Sequence, residues 1–224
     1  MRFAPFGFES NSFWNTLTLN YWQGNYVASG TTWTNSVPGG PTATTTTMSK
    51  VTFGVQTVHT GITISTITSD GKWDANPAGT LVIYMNITDT INSSLWSKQT
   101  AGSNGMGVDF TNNPLYLMRA PGSGNQVQPT SNTSRGQHVY SFATDGGNDQ
   151  SCQYYIDKVA PAMTRAATIN TSFNNGKDLV IGYKSGGSWT DPSTAGVINR
   201  IMFFNSKLDS GQIAQVVDYC TQNQ

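Results

Sequence analysis

Charge is scarce in this 224-residue chain: Asp, Glu, Lys and Arg together make 11%, against about 25% in an average soluble protein. The twelve basic and twelve acidic residues cancel, so there is no basic footprint for a nucleic acid and none is expected as a partner. Glutamate is nearly absent, Glu9 being the single one. A glycoside hydrolase needs two carboxyl groups flanking the scissile bond, and no two acids stand two or four apart on an expected strand. Asp70 and Asp74 are four apart but in a polar loop. Neither His59 nor His138 lies near a Gly-x-Ser-x-Gly turn. Catalysis is therefore not expected. Cysteine is limited to Cys152 and Cys220, too few for a disulfide framework. They are read first as two free thiols in or beside the core, with pairing left open. A zinc site is not expected, for want of a second cysteine pair or a nearby histidine. No apolar run approaches the ~18 residues of a membrane span. Met1 to Glu9 lacks the apolar core and cleavage site of a secretory signal. Four Asn-x-Ser/Thr sequons (Asn86, Asn92, Asn132, Asn170) occur, as chance produces in a chain rich in Asn and Thr.

In place of charge the chain has aromatics, also 11%, and polar positions filled by Thr, Asn, Ser and Gly. Such a surface meets partners through hydroxyls, amides and rings. Phe3, Phe6, Phe8, Phe13 and Trp14 form an aromatic N-terminal arm. It either fills one end of the core or reaches a neighbouring subunit. Thr16 to Tyr21 alternates as a half-buried strand. Further strands are expected at 51–55, 62–68, 81–87, 105–110, 115–118, 138–143, 153–156, 179–183 and 197–204, with turn residues between them. The loop 30–47 ends in a Thr run able to extend as a strand. Residues 121–135 are the longest stretch without pattern. No internal repeat is present, and one domain accommodates the length. We divide it as 1–20, the arm and first strand, and 21–224, a single sandwich.

The last 40 residues change character. Ile213, Val216, Val217 and Cys220 share one face of a helix, and Asp209 with Gln212 has the form of a capping box. The expected fold is an all-β sandwich closed by one short C-terminal helix.

Three stretches resemble one family. "IGY", a loop and "GVINRIMFFNSKLDSGQIAQVVDY" are similar to the last third of LamG/concanavalin A-like domains, with Gln212 where the family usually has Glu. "QHVYSFATDGGNDQSCQYYIDKVAP" is similar to the family's paired strands, with Lys158 in place of a turn glycine. "YVASGTTWTNSVPGG" resembles an opening motif common in LamG-like modules of phage tail and capsid fibres. The resemblance implies a concanavalin A-like (LamG-type) jelly-roll β-sandwich. It also implies sugar-binding or calcium-binding loops. Trp73, Trp96 and Trp189, in or beside expected loops, are the candidate glycan or interface contacts, although an indole in a loop more often packs against its own sheet. The oxygens of Asp145, Asn148 and Asp149, and of the loop from Asp70 to Asn76, are the candidates for a structural calcium. Asp and Asn in turns more often bond their own backbone, so no cofactor is expected.

Together these readings point to a non-enzymatic virion structural protein: a capsid decoration (cement) or head-fibre protein of a bacteriophage. It would be made in the host cytoplasm and carried on the virion surface as a homo-oligomer. It would contact the major capsid protein or other virion proteins, with the arm from Phe3 to Trp14 as attachment element. The alternative is a free or tail-fibre carbohydrate-binding lectin that contacts surface glycans.

Overall fold

Two strands carry almost uninterrupted apolar sequence, Gly79–Ile87 (β7) and Gly196–Phe204 (β16), and each is buried along nearly its whole length. A half-exposed strand alternates; a run of this kind needs cover on both faces of its sheet. The architecture, that of a computed structural model, supplies both covers. It describes residues 12–28, 30–45, 49–57, 62–65, 76–87, 93–99, 105–110, 116–119, 126–130, 135–147, 151–165, 171–174, 176–181 and 196–222.

The other strands are Leu17–Trp22 (β1), Thr32–Trp33 (β2), Ala43–Thr44 (β3), Ser49–Lys50 (β4), Val55–Thr57 (β5), Ile62–Ile64 (β6), Ser93–Gln99 (β8), Gly105–Phe110 (β9) and Tyr116–Arg119 (β10). They continue with Gln126–Pro129 (β11), Gln137–Thr144 (β12), Gln153–Ile156 (β13), Met163–Arg165 (β14) and Leu179–Ile181 (β15), and the helix is Ser210–Gln222 (α1). All described pairings are antiparallel. One sheet runs β13-β12-β7-β16-β5-β4, with β1 also on β16; the other runs β14-β11-β10-β9-β8-β15-β6-β3-β2. We call them sheet A and sheet B.

Between the sheets lies the main core. Leu81, Ile83, Met85, Tyr140, Phe142, Ile201 and Phe203 of sheet A meet Trp33, Ile62, Ile64, Trp96, Val108 and Ile181 of sheet B. On the outer face of sheet A a second layer joins Val82, Tyr84, Val139, Met202 and Phe204 to Ile213, Val216, Val217 and Cys220 of the helix. The apolar face read from the sequence is thus the buried face of α1. Its cap is reciprocal: the Gln212 N–H donates to Asp209 Oδ1 at 2.9 Å and the Asp209 N–H to Gln212 Oε1 at 3.0 Å. We expect Asp209→Ala to lower stability by about 1 kcal/mol in a denaturant titration, and Ser210→Ala to leave the midpoint nearly unchanged.

Strand β16 serves both layers by alternation, and a bulge shifts the phase of its first half. Its pairing with β7 slips between Ile198 and Arg200, so Asn199 is the extra residue. In a regular strand Ile198 and Ile201, three apart, would point to opposite faces; the bulge takes up one residue and both enter the main core. Asn199 donates to the Phe53 carbonyl at 2.8 Å. Gly54 lies so close to the bulge that a Cβ there would stand 2.2 Å from the Ile198 carbonyl oxygen. Only glycine fits that approach.

Some expectations are corrected. Residues 51–54 form the turn between β4 and β5 rather than a strand, with the N–H groups of Val51 and Gly54 each bonded to the other's carbonyl. The stretch 121–135 contains β11, held between β10 and β14. Strands β8 and β14 carry no apolar alternation and are not among those expected from the sequence. The two cysteines, both free, sit in different layers, Cys152 between the sheets and Cys220 under the helix. The thickness of sheet A separates them, beyond disulfide reach.

Candidate functional site

The helix covers only part of the outer face of sheet A. Beyond it, strand alternation places Asn86 of β7 on the same face as Val82 and Tyr84. Gln137 of β12 and Val197 of β16 flank Asn86 in register. Directly paired residues on adjacent strands bring their Cβ atoms to about 5 Å of each other. The next row inward is Val139, Tyr84, Arg200 and Trp22, again paired strand by strand.

These two rows form a shelf. Gln137 is exposed, Asn86 and Val197 are partly exposed, and Tyr84 beneath them is buried. Gln137 Nε2 donates to the Tyr84 hydroxyl at 2.8 Å. Phe53 stands edge-on to Tyr84, ring centroids 5.2 Å apart, and forms one side. Among the described residues the Asn86 carboxamide has no hydrogen-bond partner. Gly136, immediately before Gln137, has φ 120°, a conformation other residues rarely adopt. Its carbonyl accepts from the Ile87 N–H at 2.9 Å, which ties the β12 entrance to β7. At the inner edge Arg200 is buried, its guanidinium 4.6 Å from the Tyr219 ring centroid and 5.7 Å from that of Trp22. The cation is stacked on aromatic faces, not presented to solvent.

A second polar cluster lies at the other end of sheet A, where the two loops considered for calcium approach each other. A Cβ on Gly146 would stand 2.5 Å from Pro77. Asp145 Oδ1 accepts the Gly147 N–H at 2.9 Å. The Asp145 carboxyl is held below its ordinary range, chiefly by a hydrogen bond from Ser151 and then by the Gly147 N–H. Asn76 Oδ1 accepts the Ala78 N–H and its Nδ2 donates to the Asn205 carbonyl. These oxygens serve their own loops. Asn148, Asp149 and 70–75 lie outside the described residues. Among the described residues no three His, Cys, Asp or Glu side chains converge as a metal site would require. The remaining acid of note is Asp157, whose φ of 54° makes the two-residue turn after β13. It accepts from the Val139 N–H at 2.9 Å and bonds His138 Nδ1 at 2.8 Å. The turn in which Lys158 stands in place of the family's glycine carries its positive φ one residue earlier, on Asp157, a residue type that tolerates it.

No family model matches the chain and no curated protein matches it. Solved structures do. Trypanosoma rangeli sialidase in complex with sialic acid superposes with a TM-score of 0.67 over 94% of this chain at 18% identity. This chain covers 33% of that one, so it spans about a third of the sialidase's length. The CBM40 of Ruminococcus gnavus IT-sialidase, bound to α2,3-sialyllactose, matches with a TM-score of 0.54 and 13% identity, over 70% of this chain and 91% of that one. The fold is a lectin-like jelly-roll β-sandwich.

Within the lectin-like sandwich the residues singled out from sequence separate. Trp96 is no loop platform: it lies in β8, 2% exposed, stacked on Phe173 at 5.8 Å and tilted against Phe142 at 5.4 Å. The void beside it measures about 10 Å³, room for one water and not for a sugar. Phe13 and Trp14, expected in an attachment arm, belong to the outer layer of the core. Trp14 packs on Phe204 at 5.7 Å and on Tyr219 at 5.2 Å, and Phe13 on Phe204 at 5.8 Å. Trp73, Trp189, Phe3, Phe6 and Phe8 lie outside the described residues. Trp33, the tryptophan of "SGTTWT", is a core anchor. Its Nε1 donates to the Trp22 carbonyl at 2.8 Å and its ring meets Tyr21 and Tyr26 edge-on. Sequence reasoning passes over the shelf. Its signal is two amides, Asn86 and Gln137, set against otherwise apolar central strands.

Proposed function

We propose that this chain is a non-enzymatic, lectin-like binding module carried on the surface of a phage particle, as a capsid decoration or head-fibre protein. The observation that carries the binding part is the fold: a sandwich that matches most of a solved module bound to sialyllactose. The virion setting is supported by the low charge and by the similarity of the opening stretch to phage-fibre modules. A surface poor in charge attaches through buried apolar and aromatic contacts, which are largely insensitive to salt.

Absence of catalysis is supported by the chemistry of the described side chains. Asp157 is bonded to His138 and to the Val139 N–H, Asp218 is 2.6 Å from Lys158, and Asp209 caps α1. Each of these acids has a structural task, and none faces another across a cleft.

Two measurements test the reading. Purified particles should contain the chain in a fixed ratio to the major capsid protein, and washing with high salt should not remove it. Pure protein should release neither sialic acid nor reducing sugar from glycans. Sustained release that one Asp→Asn or Tyr→Phe change abolishes would overturn the non-enzymatic assignment. A chain absent from particles but retained on immobilised glycan would make it a free lectin.

A further inference from the structure

We infer that the partly exposed shelf on the outer face of sheet A is the ligand-binding surface, and that its ligand is a neutral saccharide; this rests on the lectin-like reading above. A carboxamide on a central strand of a doubly buried sheet needs an explanation. The outward positions of β7 that precede it, Val82 and Tyr84, are packed under apolar cover. Asn86 stands at the end of that row, partly exposed, its carboxamide unpartnered among the described residues. An Asn amide offers two donors and an acceptor, the set that bonds the paired hydroxyls of a sugar. Gln137 stands directly beside it in register. Its Nε2 is held by the Tyr84 hydroxyl, which fixes the amide plane, and the exposed side chain carries a carbonyl oxygen as a second acceptor. A side chain already held loses less freedom when a ligand arrives.

Val197 and Phe53 supply the apolar half of the recognition. Sugars carry C–H faces as well as hydroxyls, and the two residues, both partly exposed, lie one beside Asn86 in register and the other against Tyr84. The electrostatics favour a neutral ligand. Arg200, the cation of the adjoining row, is 3% exposed between Trp22 and Tyr219. A sialic acid carboxylate would find no exposed cation in either row of the shelf.

The test is an NMR titration of ¹⁵N-labelled full chain with lactose, with maltotriose and with α2,3-sialyllactose, following the side-chain NH₂ signals of Asn86 and Gln137. We expect one neutral sugar to shift both amide signals in a saturable way. Asn86→Ala or Gln137→Ala should weaken that binding about tenfold, as loss of one hydrogen bond to a ligand does. The dispersion of each variant's backbone spectrum reports that it folds, and Asn86→Asp, nearly the same size, serves as a second variant should alanine disturb β7. Saturable shifts confined to another surface would overturn the shelf and leave the lectin reading standing. Binding of sialyllactose without lactose or maltotriose would overturn the neutral ligand class. No saturable shift with any of the three would overturn the site together with the reading it rests on.

Discussion

Trp96→Ala will lower stability by about 3–5 kcal/mol, enough to unfold much of the population of an ordinary domain. The indole is almost wholly buried between the sheets, and removing it strips contacts from Phe142 and Phe173 at once. The small void already beside it would join the new space. Because both sheets are pinned by long ladders, collapse around the gap would be partial, and residual cavity volume is what makes such truncations expensive. Chemical denaturation followed by circular dichroism measures the effect. Trp96→Phe should lose less, since a ring still fills part of the site. A Trp96→Ala protein with a wild-type midpoint would mean that the ring is exposed after all.

The second large effect is expected from Val216→Asp or Val217→Asp. Both side chains are buried against Val82, Met202 and Phe204 on the outer face of sheet A. A carboxylate there leaves water without a hydrogen-bonding site built for it, and an uncompensated buried charge typically weighs about 3–5 kcal/mol. Comparison with Gln215→Asp on the exposed face of the same helix separates burial from helix propensity. Equal melting temperatures for all three variants would show that the helix does not dock as described.

The helix is legible in the sequence because every signal for it is local: a four-residue apolar face, a cap three residues wide and a turn before it. The hairpin of β12 and β13 and the long strands β7 and β16 are legible for the same reason. What cannot be read is what depends on partners distant in sequence. Strand β8 looks polar because Ser97 and Lys98 interrupt it, yet Lys98 is fully buried with its ammonium donating to the Lys177 carbonyl at 2.6 Å. That acceptor lies 79 residues away. The bulge at Asn199 is likewise invisible, because "GVINRIMFF" gives no sign of which residue is extra; Phe53 and Gly54 decide it. Without β8, Trp96 reads as a residue beside a loop. The shelf escapes notice because an amide in a strand is ordinary until its neighbours across the sheet are known.

The separation of the two thiols by sheet A makes them a pair of independent reporters. Each is sealed in a different layer, Cys152 with the inter-sheet core and Cys220 beneath the helix against the Met202 sulfur at 3.8 Å. Burial pushes the Cys220 thiol up to about 12, with Arg200 pulling the other way, so in the closed state it is inert to electrophiles. Its labelling rate therefore counts how often the helix lifts. That of Cys152 counts how often the sheets part. A protein that docks on a particle through the helix side would slow the first clock and leave the second running, so the same two atoms can show which layer a partner grips.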